Sequence, residues 1–318
     1  MRAAVVDRYG EPEVVSIREV PDPVAGTGEV LVRVRAAGIN SADRLQVMGF
    51  YPAPPGSPAD IPGLELAGEV AALGPGATAF SVGDRVMAVV GGGGMAELAV
   101  VHERHLLPVP ASLSWEQAGG FAETFTTAHD ALFSQVGLAM GERVCIHGAA
   151  GGVGTAAVQL AAAAGAVVTA TVRNPEHHDA VAALGAHRVI RPDDFVEAGP
   201  YDVILELVGA PNWPGNIQAL ATWGRIMIIG VGAGPKVELS MIDLMQKRGT
   251  IRASTLRTRP LEEKANAAQA MIRHVLPLVE SGTLTVPVEA TFPMAEAEAA
   301  FARFAQGAKL GKLVLVSA

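Results

Sequence analysis

Between Arg143 and Leu160 the chain reads RVCIHGAAGGVGTAAVQL. A short apolar strand, Val144 to Ile146, enters a turn from Gly148 to Gly154, and an alanine-rich helix follows. Residues of these types in this order can hold a pyrophosphate. Glycine lets the backbone come close, and a helix N-terminus offers free N–H groups at the positive end of its dipole. Taken alone, such a turn can be a plain strand-to-helix connection. Its place between strand and helix, with more strand–helix alternation downstream, favours a dinucleotide site. The next strand, Val167 to Thr171, is expected to end beside the adenosine ribose. Enzymes for NAD usually carry a carboxylate there to bond the 2′-hydroxyl. This chain reads TATVRNPEHH, with Arg173 and Asn174 in that zone and no acid at the strand tip. A guanidinium is always charged and bonds two oxygens, which suits a 2′-phosphate. NADPH is the expected coenzyme; the plain alternative is that Arg173 is a solvated surface arginine.

Two further stretches draw notice, AAGINSADRLQVMGFYPAPPG (Ala36 to Gly56) and PGLELAG (Pro62 to Gly68). Turn formers interrupt both, so both are expected to line a cleft rather than fill a core. Asn40 alone reads as a turn residue bonding its own backbone, and Tyr51 alone as a loop aromatic. Glu65 reads as a structural partner for a backbone N–H or an arginine rather than as a catalyst. Cys145, between Val144 and Ile146, reads as a buried, inert thiol, and His147 as a satisfied histidine at the strand end. Arg252, Arg257 and Arg259 read as a charged loop, although Leu256 and Arg257 could instead touch coenzyme or substrate.

The elements that must position these residues follow from pattern. The chain has 318 residues, a length for about two domains. Half of it is hydrophobic and 18% is charged, so a substantial core is available. A net charge of −8 gives no reason to expect nucleic acid or an anionic membrane as partner. One cysteine excludes an intrachain disulfide and a multi-cysteine metal cage. No apolar run spans a bilayer, and MRAAVVDRYG lacks a secretion-signal core, so a cytoplasmic protein is expected. In the first third, Val30, Val32 and Val34 alternate with Leu31, Arg33 and Arg35, the period of a half-buried strand. Other short strands lie nearby, separated by turns such as Pro75-Gly76 and Gly83-Asp84, which suggests a compact β-barrel-like domain. Further on, Val203 to Leu207 and Arg225 to Ile229 are near-continuous apolar runs, as in buried parallel strands. Gly209, Gly230 and Gly232 follow them, where an open α/β sheet binds its ligand. The backbone of Val208, Gly230 and Val231 is expected to line the nicotinamide.

The motifs GIN-x-ADRLQ with YP-x-PPG, PGLE-x-AG, HGAAGGVGTAAVQLA and the terminal GKLVL together resemble the medium-chain dehydrogenase/reductase superfamily. Within it the chain is similar to the zinc-independent quinone oxidoreductases, and to their stress-inducible NADPH:quinone reductase branch through NWPGNIQALATWGRIMIIG. The resemblance implies a Rossmann-type doubly wound parallel sheet plus a GroES-like β-barrel catalytic domain. It divides the chain into residues 1–121 (catalytic, first part), 122–262 (nucleotide-binding) and 263–318 (return to the catalytic domain). It places Thr127 beside the nicotinamide, and Ala150, Gly151, Gly152 and Val153 at the pyrophosphate, with alanine where the first fingerprint glycine usually stands. Leu256 and Lys312 join Asn40 as coenzyme contacts. Relatives place a lysine near His177, whose loss slightly weakens the case for a 2′-phosphate.

The departures matter. Zinc alcohol dehydrogenases of this superfamily carry cysteine in place of Asn40 and histidine in place of Leu64, and leucine cannot coordinate a metal. Glu123 lies near the third ligand position, and one carboxylate does not hold zinc. The cysteine-rich structural-zinc loop is replaced by GGGGM after Val90. No metal is therefore expected. The implied activity is NADPH-dependent reduction of a quinone or α,β-unsaturated carbonyl. Asn40 and Tyr51 would polarise the substrate oxygen, and the proton would come from water or a ribose hydroxyl. An enoyl-thioester reductase and a non-catalytic NADPH-binding sensor are the alternatives. A homodimer or homotetramer is the assembly the resemblance implies.

Overall fold

The computed structural model describes residues 1–10 and 14–317. The chain divides into two compact units, Met1–Thr126 with Leu256–Ala318, and Thr127–Thr255.

The first unit begins with β1 (Arg2–Val6) and β2 (Val15–Glu19), paired antiparallel. β3 (Glu29–Gly38) keeps the expected alternation, with Val30, Val32 and Val34 buried and Arg33 exposed. Next comes β4 (Glu65–Leu73). The sequence reading sets Pro62–Gly68 in a cleft-lining loop, and the structure corrects it. Pro62 and Gly63 turn the chain, but Glu65–Gly68 opens β4, with Leu64, Leu66 and Ala67 at most 1% exposed. The strand pairs with β3 on one side and β5 (Arg85–Val89) on the other, which satisfies its backbone and lets both its faces be buried. β6 (Leu98–His102) and β7 (Leu106–Pro108) follow.

The second unit is one parallel sheet of β8 (Arg143–Ile146), β9 (Val167–Thr171), β10 (Arg188–Ile190), β11 (Tyr201–Glu206), β12 (Leu220–Ile228) and β13 (Thr250–Ala253). Its order is β10-β9-β8-β11-β12-β13. The chain steps outward from β8 to β10, then resumes on the other side of β8 with β11. The connections after β8 and β11 therefore leave in opposite directions, and the crevice this opens beyond their C-terminal ends is where such sheets bind ligands. Ile204, Phe195, Trp213, Leu220 and Ile226 form its core on one face.

The chain then returns to the first unit with the helix Leu261–His274, β14 (Val288–Pro293) and β15 (Lys312–Val316). β15 lies antiparallel to β3, pairing Val314 with Gly38, and parallel to β14. The sheet order is β14-β15-β3-β4-β5-β7, with β6 also paired to β3. Val32, Val34, Leu66, Phe301, Leu313 and Leu315 lie in its core. Among the described residues, no helix is long and apolar enough to cross a membrane.

Candidate functional site

In the second unit the site starts at the turn after β8. Gly148 sits at φ +63°, a left-handed conformation that glycine adopts without strain. A Cβ on Gly154 would lie 2.4 Å from the Gly148 oxygen and 2.6 Å from the Ala149 Cα. Both obstacles are backbone, so this position needs glycine for the helix to pack on the turn. That helix, Gly152–Ala163, has Gly151 as its N-cap, with no side-chain cap and no acidic residue in the first turn. Its first N–H groups have no intrahelical acceptor. Ala150, Gly151, Gly152 and Val153 are half-buried, whereas Ala149 and Gly154 on either side are buried. The accessible rim of the turn is thus formed by the four residues expected at the pyrophosphate, and its local charge favours an anion.

Beneath this turn runs a buried polar chain. Glu206, 1% exposed at the end of β11, accepts from the Val208 N–H (2.7 Å) and the Gly209 N–H (2.8 Å) through Oε1. Its Oε2 accepts from Asn216 Nδ2 at 2.7 Å. Asn216 Oδ1 lies 2.8 Å from His147 Nε2, and His147 Nδ1 lies 3.1 Å from Thr171 Oγ1. A carboxylate only accepts, so Asn216 must point its NH₂ at Glu206 and its oxygen at His147. His147 then carries its proton on Nε2 and accepts at Nδ1 from the Thr171 hydroxyl. Burial holds this imidazole below its usual range, which keeps it neutral. His147 is the satisfied histidine the sequence suggests, and Cys145 beside it is fully buried with its thiol pushed up by burial. Thr171 also ties the turn to β9, its carbonyl accepting from Ala149 N at 3.1 Å.

At the end of β9, Arg173 is exposed, and among the described residues no hydrogen bond or ion pair engages its guanidinium. Asn174 is occupied locally. Its Oδ1 accepts from Glu176 N at 3.2 Å, capping the short turn Pro175–His177. At the end of β12, Gly230 is required by crowding, since a Cβ there would stand 2.4 Å from the Leu207 oxygen. Val208 uses both backbone groups internally, donating to Glu206 and accepting from Ala233 N. Val231 is exposed, and Thr127 is buried on the helix Ala122–His129.

The first unit brings Asn40, Glu65 and Lys312 together. Lys312 is 2% exposed, and its three ammonium hydrogens are all used. They go to Glu65 Oε1 (2.6 Å), Asn40 Oδ1 (2.7 Å) and the Ile39 carbonyl (2.9 Å). Asn40 Nδ2 donates to Glu65 Oε1 (2.9 Å) and the Gly38 carbonyl (3.3 Å), and Glu65 Oε2 accepts from Glu123 N (2.9 Å). A Cβ on Gly38 would stand 2.4 Å from Glu65 Oε1, so this glycine gives the ion pair its room. Asp43 sits alongside and accepts from the N–H groups of Asn40 (2.8 Å) and Gly63 (2.9 Å). Burial pushes its carboxyl up to about 6, against the pull of those two bonds and of Lys312. The structural role read for Glu65 stands, with a lysine as its cation. Asp43 was legible only as part of the GINSAD motif.

Tyr51 is half-buried in the loop after the helix Ser41–Val47, and among the described residues no partner takes its hydroxyl. Leu256 is 7% exposed and helps line a small recess of the first unit with Val89, Leu107, Thr126 and Lys264. Arg257 is buried, not part of a solvated charged loop; its guanidinium finds acceptors inside the first unit. Arg252 donates to the Gln135 carbonyl, and Arg259 faces Glu263.

Known proteins match this arrangement over nearly its whole length. Residues 26–111 match the alcohol dehydrogenase GroES-like domain, and residues 184–315 match a zinc-binding dehydrogenase domain. A quinone oxidoreductase of Pseudomonas aeruginosa is 32% identical over 318 residues, covering 97% of each chain. A mycobacterial protein whose structure was solved with NADPH has a TM-score of 0.88 at 27% identity, covering 99% of this chain and 100% of that one. The CurK enoyl reductase has a TM-score of 0.87 at 25% identity, covering 100% and 99%. The chain belongs to the medium-chain dehydrogenase/reductase family. It is an oxidoreductase built on a fold that binds a nicotinamide coenzyme.

Proposed function

We propose that the protein uses NADPH to reduce quinones or α,β-unsaturated carbonyls by a metal-free hydride transfer. The observation that carries this reading is the Lys312 ammonium bonded to Asn40 Oδ1 and Glu65 Oε1. Those oxygens are the acceptors a divalent cation would need here, and they already hold a positive charge. Leu64 beside them offers no ligand atom. Zinc does not fit this donor set. The quinone oxidoreductase relative supports the substrate class.

The accessible turn Ala150–Val153 would bind the pyrophosphate, and Arg173 the 2′-phosphate, since its guanidinium has no other partner among the described residues. When bound, the coenzyme supplies the hydride. The chain's part is to place an electron-poor carbon and to polarise the oxygen conjugated to it. Tyr51 is the donor for that oxygen. Both Asn40 amide hydrogens already go to Glu65 and Gly38, so Asn40 shapes the site rather than bonding substrate. Water would supply the proton that the oxygen takes up. A homodimer or homotetramer is part of the same reading; the helix Met241–Lys247 supports it by leaving Met241, Ile242 and Met245 64–73% exposed.

The test is the loss of NADPH absorbance against a panel of quinones and enones with a chelator present. Turnover undiminished by the chelator is expected; metal-dependent alcohol oxidation, or no turnover, overturns the reading. The CurK likeness favours a second reading, an enoyl-thioester reductase, which a preference for thioesters over quinones would select. Coenzyme choice has its own variant. Losing one charge-assisted contact costs about 1.5–3 kcal/mol, so Arg173→Ala should raise KM for NADPH by about tenfold to a hundredfold. KM for NADH should stay where it was. An unchanged NADPH value would remove Arg173 from the site.

A further inference from the structure

Arg257 is 2% exposed, yet it carries a full charge into the first unit. Its Nε donates to the Gly91 carbonyl at 2.8 Å, its Nη1 to the Tyr51 carbonyl at 2.7 Å, and its Nη2 to Gln46 Oε1. One side chain thus pins the helix Ser41–Val47, the Tyr51 loop and the loop after β5. Its guanidinium carbon lies 5.0 Å from the centre of the Tyr51 ring, within reach of a cation–π interaction. Among the described residues no carboxylate bonds it directly; Asp43 and Glu123 act on it only at longer range. A buried cation without an ion-pair partner is costly. Here that cation lies against a phenol whose hydroxyl is open.

We propose that Arg257 is a positioning residue for the reduction: it fixes the Tyr51 loop and sets an uncompensated charge on the Tyr51 ring, strengthening the phenol as hydrogen-bond donor to the substrate oxygen. This rests on the reading of Tyr51 as that donor. The groups around the phenol are consistent with it. Burial pushes the Tyr51 hydroxyl up, Arg257 pulls it down, and Glu123 pushes it up. Lys264 bears on Glu123 and Arg257 from the helix Leu261–His274. Of these groups, Arg257 is the one that acts on Tyr51 to favour release of its proton, and a readier proton is a stronger donor.

The chain has three tyrosines, so Tyr9→Phe with Tyr201→Phe leaves Tyr51 as the sole phenol. Tyrosinate absorbance then reads its titration with neither coenzyme nor substrate present. Arg257→Met should raise the midpoint by about one pH unit, the size of a single neighbouring charge. Arg257→Lys should raise it less, because it keeps the charge without the fork, and it guards against a methionine variant that does not fold. With a quinone, Arg257→Met should lower kcat about tenfold or more with KM for NADPH unchanged. In a Tyr51→Phe background the same replacement should change kcat less than about twofold, as coupling through one group requires. A merely structural arginine would cost the same in both backgrounds. That result, or a midpoint that stays put while turnover stands, overturns this proposal alone. Failure to turn over any quinone or enone removes the functional reading and this one with it.

Discussion

Lys312→Met will lower the unfolding free energy by about 3–5 kcal/mol, the usual cost of removing one partner of a buried ion pair. Methionine matches the length of the stem, so the loss is one of charge rather than volume. Glu65 is 0% exposed and would keep only the Asn40 amide and the Glu123 N–H as donors. The Ile39 carbonyl and Asn40 Oδ1 would lose their donor as well. The double variant Lys312→Met with Glu65→Gln removes both charges and should recover most of the loss, because a neutral pair has no stranded ion. Urea unfolding of the three proteins decides it. A single-variant loss below about 1 kcal/mol, the range of exposed pairs, would mean that water reaches Glu65 and that the site is not closed.

The second large effect is expected at Glu206. Glu206→Ala strips the acceptor from the Val208 and Gly209 N–H groups and from the amides of Asn212 and Asn216. Each buried donor left bare costs about 1–3 kcal/mol, so a loss of about 3 kcal/mol or more is expected. Glu206→Gln behaves differently because the chain of bonds can reverse. The new amide would still accept from both N–H groups with its oxygen, and its NH₂ would face Asn216. Asn216 must then turn its own amide, offering Nδ2 to His147 Nε2. His147 in turn must move its proton to Nδ1 and donate to Thr171 Oγ1. The glutamine variant should therefore fold at a cost of about 1–2 kcal/mol, with the opposite His147 tautomer. Nitrogen-15 NMR of the imidazole distinguishes the two forms. The same tautomer in wild type and variant would show that Glu206 does not set the direction of the network.

Much of the second unit was legible because its requirements are local. A tight turn, a close approach and a free helix end demand glycines at fixed offsets, and Gly148, Gly151 and Gly154 supply them. The position of Arg173, exposed just past β9, was legible for the same reason, being set by the length of the strand before it. The first unit hid its chemistry in long-range pairs. Lys312 meets Glu65 across 247 residues, and Arg257 meets Gln46 across 211. No spacing rule links positions so far apart, and Arg257 beside two other arginines has the composition of a solvated loop. Pro62–Gly68 misled for another reason. Its Pro-Gly turn is real, Gly63 standing at φ +110°, but the strand starts directly after it and buries the acid.

The return of β15 to the sheet of β3 and β4 has a consequence for how the protein is made. Residues 127–255 form a continuous unit, so every partner within it is present once residue 255 has been made. The first unit has to wait for β15, one of the strands that pair with β3. Until β15 is made the nascent chain carries Glu65 without its cation, Lys312, and completion of that unit is deferred to that point.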